Sequence, residues 1–145
     1  MQSIWPYLEG KTHIIWDWNG TILNDVDLMV EVIGNVLEDH GLERVNRQSY
    51  LELFRFPVKE YYKSLGFNFE KESFEKLSEK FTAGYRQGLL TSRLHEGMKD
   101  FLFEIKSANI CQSVLSAAQE DYLKEQLKQY EIDHCFDHVY GIKDF

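Results

Sequence analysis

Cysteine is scarce. The chain has two, Cys111 and Cys135, and neither sits in a CxxC pair or in a Cys/His cluster at ligand spacing. This excludes a disulfide framework and a zinc motif, and the pair reads as two reduced thiols. Long apolar runs are missing as well. No stretch approaches the ~20 residues of a membrane-spanning helix, and the N-terminus lacks the basic region, apolar stretch and small-residue cleavage site of a secretory signal. No membrane association is expected, and the expected location is cytoplasmic. Basic residues are outnumbered, 16 Lys and Arg against 24 Asp and Glu, for a net charge of −8. Binding to nucleic acid or to an anionic membrane surface is therefore not expected, although this balance still permits a local basic pocket for a small anion. Internal repeats and low-complexity segments are also absent.

The chain does have enough apolar residues for a core. At 145 residues, 43% apolar and 28% charged, it belongs with globular proteins rather than disordered chains. That length supports one domain with a sizeable core, or a small core with an inserted lobe, but would cramp two separate cores.

One stretch organises the rest. Ile14-Ile15-Trp16 reads as a short buried strand that stops at Asp17, and an Asn19-Gly20 turn signal follows two residues later. A carboxylate at the carboxyl end of a strand lies where open α/β sheets place their ligands. Gly20 relieves the backbone there, so that neighbouring N–H groups can turn toward an anion beside Asp17. Ahead of this strand, residues 1–11 read as an irregular lead-in that lays Trp5 and Tyr7 against the core. After the loop, Asp25 opens a helical pattern through Val26, Met29, Val30, Ile33, Val36 and Leu37, which Gly41 closes.

The middle of the chain has little β pattern. Tyr50, Leu51, Leu53 and Phe54 precede Pro57, while Tyr61, Tyr62 and Leu65 follow it, which predicts two short helices broken near Phe56-Pro57. Phe74, Leu77, Phe81 and Tyr85 form a helical stripe. An all-helical insertion of this size is too long for a plain loop. Its many aromatics are expected to pack its core rather than to stack on a nucleotide. Beyond it, Gly97–Ser107 reads as a helix, Ile110–Leu115 as a second strand ending at Ser116, Gln119–Tyr130 as a helix, and His138–Tyr140 as a third strand before Gly141. The alternation of strand and helix predicts a parallel, Rossmann-like α/β sheet with right-handed crossovers.

Asp17-Trp18-Asn19-Gly20-Thr21, followed by Ile22-Leu23-Asn24-Asp25, resembles the first motif of the haloacid dehalogenase superfamily, DxDGT(L/V)xD. Val114-Leu115-Ser116-Ala117-Ala118 resembles its second, a hydroxyl residue at the end of the second core strand. The helical insertion resembles the cap of phosphoglycolate-phosphatase-like members. The resemblance implies a partial α/β core over residues 1–23 and 95–145 with a helical cap over 24–94. It also implies a Mg²⁺-dependent phosphatase acting on a small phosphorylated metabolite through an aspartyl-phosphate. Asp17 would be the nucleophile, and Asp17 with the Asn19 carbonyl would hold the metal. Ser116 would serve the phosphate, with Trp18, Gly20, Thr21 and Ala117 around the substrate. In the cap, Arg55 and, more weakly, Lys59 would clamp an anion, or each is simply a solvated helix charge.

Plainer structural roles stand beside these. Asp17 serves as a turn former, Ser116 as the N-cap of the next helix, Asp25 as a helix cap, and His95 as part of the return to the core rather than a ligand. Asn19 replaces the acid that, in the family, protonates the leaving group and activates water, and a carboxamide does neither. The later Lys and acidic motif are not found. Lys143, the basic residue nearest the expected place, lies very close to Gly141. These gaps imply the N-terminal part of a longer protein, inactive by itself, whose first strand is an exposed edge open to self-association. Two function classes follow: an incomplete phosphoryl-transfer enzyme, or a noncatalytic binding or regulatory module of the same fold.

Overall fold

A computed structural model describes residues 5–89 and 91–143. A short helix, Trp5–Leu8 (α1), leads into strand His13–Trp16 (β1), and after the Asp17 loop comes the two-residue strand Leu23–Asn24 (β2). Four helices follow: Val26–Asp39 (α2), Arg47–Leu53 (α3), Val58–Ser64 (α4) and Phe74–Leu89 (α5). The chain then forms strand Arg93–Leu94 (β3), helix Met98–Ser107 (α6), strand Cys111–Gln119 (β4), helix Glu120–Gln129 (α7), a 3₁₀ turn at Asp133–Cys135 and strand His138–Ile142 (β5). These elements divide into two compact units, residues 1–24 with 93–145, and residues 25–92.

In the first unit, β1, β4 and β5 form a parallel sheet in the order β1-β4-β5. Helices α6 and α7 contact β4, and α7 also contacts β5. Val114, Leu102, Ile105, Leu123 and Leu127 are buried there, together with Gln112. The Gln112 side chain is fully used: Nε2 donates to the carbonyls of Leu102 and Cys135, and Oε1 accepts from Trp16 Nε1. Cys135 is buried and Cys111 partly so, and both are free thiols.

The other face of the sheet is open among the described residues. Ile15, Leu115, Tyr140 and Ile142 are 66%, 56%, 50% and 38% exposed, and the register sets Leu115 beside Tyr140. Ser113 is the covered position on this face, hydrogen-bonded to His13 Nε2 at 2.7 Å, with the His13 and His138 rings stacked 6.5 Å apart. Parallel sheets ordinarily bury both faces. Here β1 alternates exposed and half-buried positions, which corrects the expectation of a buried strand. The lead-in also departs from expectation. Trp5 and Tyr7 are 40% and 77% exposed and do not enter the core, while residues 1–4 lie outside the described residues.

The strand ends differ from the pattern-based boundaries. Strand β4 continues past Ser116 to Gln119, with a register irregularity between Leu115 and Gln119, and β5 passes through Gly141 to Ile142. A Cβ on Gly141 would lie 2.6 Å from the Ala118 carbonyl oxygen and 2.6 Å from Glu120 Cα, so only glycine lets β5 close on the start of α7. The β2–β3 ladder, pairing Leu23 with Leu94 and Asn24 with Arg93, was not expected because two residues carry no periodicity.

The second unit is helical. Ile33, Val36 and Leu37 of α2 pack with Tyr50, Tyr61, Tyr62, Phe67 and Leu77. The rings meet mostly edge to face, as Tyr50 and Tyr61 do at 5.9 Å. Helices α3 and α4 flank Pro57 as the sequence predicts, and Asn46 with Ser49 forms a capping box at the start of α3. Asp25 occupies the N-cap position of α2, yet its side chain makes no capping bond. It is buried and accepts the Tyr85 hydroxyl at 2.6 Å, which corrects its expected role as a helix cap.

Candidate functional site

Parallel register brings the two motifs to one edge of the sheet. Trp16 lies level with Val114, so Asp17, at the carboxyl end of β1, comes level with the Leu115–Ser116 segment in the second half of β4. The Asp17 side chain is exposed, and its Oδ1 accepts the Trp18 backbone N–H at 2.8 Å. One carboxylate oxygen is thereby oriented, while Oδ2 has no hydrogen bond among the described residues.

The loop behind Asp17 is tied down from within. The backbone N–H groups of Thr21, Ile22 and Leu23 all point at the Trp18 carbonyl, at 3.3, 3.1 and 3.0 Å. Gly20 adopts φ +71°, a left-handed conformation suited to glycine. The Trp18 indole is fully buried and donates from Nε1 to Gln126 Oε1 of α7 at 2.7 Å, so any contact of Trp18 with a ligand falls to its backbone. Asn19 and Gly20 are half-buried and Thr21 is exposed.

Ser116 is buried, and its Oγ accepts the Ala118 N–H at 3.1 Å, which leaves its O–H free to donate. The next helix begins at Glu120 with Gln119 in the N-cap position, so Ser116 does not cap it. Instead it holds the irregular end of β4, with exposed Ala117 next to it. A cavity of about 230 Å³ lies at this end of the unit, lined by Gln119, Glu120, Asp121, Ile142 and Lys143, and has no lining residue in the Asp17 loop. Glu120 is held below the usual carboxylate range, chiefly by its bond from Lys124 and then by the Gly141 N–H and nearby Lys143. Lys143 thus acts electrostatically on Glu120.

Asp17, Trp18, Asn19, Gly20, Thr21, Ser116 and Ala117 all belong to the first unit, whereas Arg55 and Lys59 belong to the second. Arg55 is exposed on the connection between α3 and α4. Lys59 Nζ lies over the rings of Phe69 and Phe74, at 5.7 and 5.9 Å, a cation–π contact within its own unit. Among the described residues, no three His, Cys, Asp or Glu side chains form a metal cluster. Asp17 and the Asn19 carbonyl are hard oxygen donors of the kind Mg²⁺ takes, and a magnesium ion characteristically keeps several waters beside one or two protein ligands.

Sequence reasoning missed Gln112 and Gln126. Both interrupt apolar faces, Gln112 two residues before Val114 on a strand and Gln126 between Leu123 and Leu127 on a helical stripe. A polar residue on such a face must find a partner, and that was the available signal.

A family model described as "Haloacid dehalogenase-like hydrolase" matches residues 14–145. The chain belongs to this family. Among curated proteins it is similar to a candidate pyrophosphatase, PpaX, of Caldanaerobacter subterraneus subsp. tengcongensis, with 21% identity over 92% of this chain and 59% of the relative. Among solved structures it is similar to a predicted phosphoglycolate phosphatase from Haemophilus somnus (19% identity, TM-score 0.75, 93% of this chain and 64% of that one). It is also similar to Protein Tyrosine Kinase A of Mycobacterium tuberculosis (20% identity, TM-score 0.79, 94% and 62%). At these identities the structures establish the fold. The chain spans less than two thirds of the length of each of these relatives.

Proposed function

We propose that this haloacid dehalogenase-family chain supplies the nucleophile side of a phosphatase for a small phosphorylated metabolite. The observation that carries this reading is the exposed Asp17 carboxylate at the end of β1, with one oxygen oriented by the Trp18 N–H and Ser116 in the second half of the neighbouring strand. Asp17 Oδ2 attacks phosphorus, an acyl-phosphate bond forms and the bond to the leaving oxygen breaks. Water then cleaves the acyl-phosphate, returning the carboxylate and releasing phosphate. The Ser116 O–H donates to a phosphate oxygen. Mg²⁺, when bound, would neutralise charge on the transferring group. Asp17 and the Asn19 carbonyl would hold it, with remaining positions filled by water. Asn19 supplies no acid or base, so the leaving oxygen must take its proton from solvent or leave as an anion.

In this reading the helical unit is the cap, and Arg55 is its anion clamp in preference to Lys59, whose ammonium is already engaged by two rings. In this reading the chain by itself has no turnover, because the later Lys and acidic motif of the family are not found in its 145 residues. The open β1 edge lets copies associate. A second reading, a noncatalytic binding or regulatory module, draws support from Asn19. The deciding experiment treats the chain with beryllofluoride and Mg²⁺, an acyl-phosphate mimic. The phosphatase reading expects a Mg²⁺-dependent adduct on Asp17 that is lost in Asp17→Asn. An adduct on another residue, or none, favours the binding module.

A further inference from the structure

His95 is the first residue after β3, where the chain returns from the helical insertion, and it bonds to the Asp17 loop twice. Its backbone N–H donates to the Ile22 carbonyl at 3.1 Å, and its half-buried ring Nε2 lies 3.3 Å from the Gly20 carbonyl oxygen. A carbonyl only accepts, so Nε2 carries the proton in this contact. The peptide joining Gly20 to Thr21 is therefore held at both ends, its oxygen by His95 and its N–H by the Trp18 carbonyl at 3.3 Å. The peptide before it carries the Asn19 carbonyl, and the two meet at Gly20, the residue with the least intrinsic restraint in the loop. Releasing the Gly20 oxygen would loosen that peptide and, through Gly20, strain the setting of its neighbour, which carries the Asn19 carbonyl two residues after Asp17 and is also tied by a bridge between Asn19 and Leu23.

We propose that His95 is a positioning residue for the anion and metal site at Asp17: it holds the Gly20 peptide so that the Asn19 carbonyl and the Asp17 carboxylate face the same ligand. This rests on the phosphatase reading of Asp17. It adds a residue outside both sequence motifs, and it links the strand that closes the insertion to the loop that carries the nucleophile.

The test uses the full chain with His95→Phe, which keeps ring volume but loses the donor, and His95→Gln, whose amide can donate again. Two quantities are measured: amide hydrogen exchange at Gly20 and Thr21, and the affinity for beryllofluoride with Mg²⁺. The expected result for His95→Phe is exchange faster by about tenfold and affinity weaker by about tenfold, the scale of one lost hydrogen bond, with His95→Gln recovering most of both. Unchanged exchange in His95→Phe overturns the proposal. So does faster exchange with unchanged affinity, which would make His95 a purely structural contact. Wild-type chain that binds no beryllofluoride refutes the reading of Asp17 and the positioning role with it, while the exchange rates still report whether His95 holds the loop.

Discussion

Trp18 and Gln126 are joined by a buried hydrogen bond of 2.7 Å that anchors the Asp17 loop to α7. The Gln126 Nε2 has no hydrogen-bond partner among the described residues, so Trp18 is what compensates this buried amide. Gln126→Leu should leave the indole N–H unpaired and cost roughly 1–3 kcal/mol. Trp18→Phe should cost more, because ring volume is lost as well. The double variant should be less destabilised than the sum of the two singles, since no unpaired polar partner remains. Urea unfolding of the four proteins checks this, and strict additivity would show that the bond contributes nothing.

Asn19 should make any phosphoenzyme long-lived. Restoring the acid with Asn19→Asp is expected to shorten the lifetime of an aspartyl-phosphate on Asp17 by about 10²-fold or more, the usual worth of general acid–base catalysis. Loss of radiolabel from chain phosphorylated with a small acyl phosphate is the measurement. Equal lifetimes would mean that another group already activates water.

Asp137 should contribute to acid sensitivity. The Gln112 N–H at 2.9 Å, the Cys111 thiol and Lys106 hold its carboxyl at about 2, against an ordinary 3.8. Because the folded value lies below the unfolded one, the contribution is complete above about pH 4 and is lost as the pH falls toward 2. Asp137→Asn should flatten the pH dependence of stability within that window and leave its slope at neutral pH unchanged. A series of urea midpoints between pH 2 and 7 reads this directly, and parallel curves for the two proteins would contradict it.

The β1 edge should be adhesive. Ile15 is 66% exposed on a strand that, among the described residues, pairs in its sheet with β4 alone, so sedimentation velocity is expected to show dimers or larger species growing with concentration. Ile15→Lys should move the distribution toward monomer, because charge on an edge opposes strand addition. A wild-type chain that stays monomeric at every concentration would remove self-association from its behaviour.

Much of this molecule follows from local pattern. The apolar spacing of α2 and α5, the break at Pro57 between α3 and α4, and a carboxylate ending the first strand are properties of neighbouring residues. Such short-range periodicity determines which segments become helix or strand and which side chains stand together on one face. The first-motif residues were legible for the same reason, because they are contiguous. What only the tertiary structure decided involves residues far apart in the chain: that Trp18 turns inward to Gln126, that Ser116 supports the end of β4 instead of capping α7, that Asp25 takes the Tyr85 hydroxyl, and that His95 reaches back to Gly20. Each is a choice among partners that the local sequence offers equally well. The choice is made by strand register and by the requirement that every polar group taken out of water find a bond, and both are settled only when the whole chain has packed.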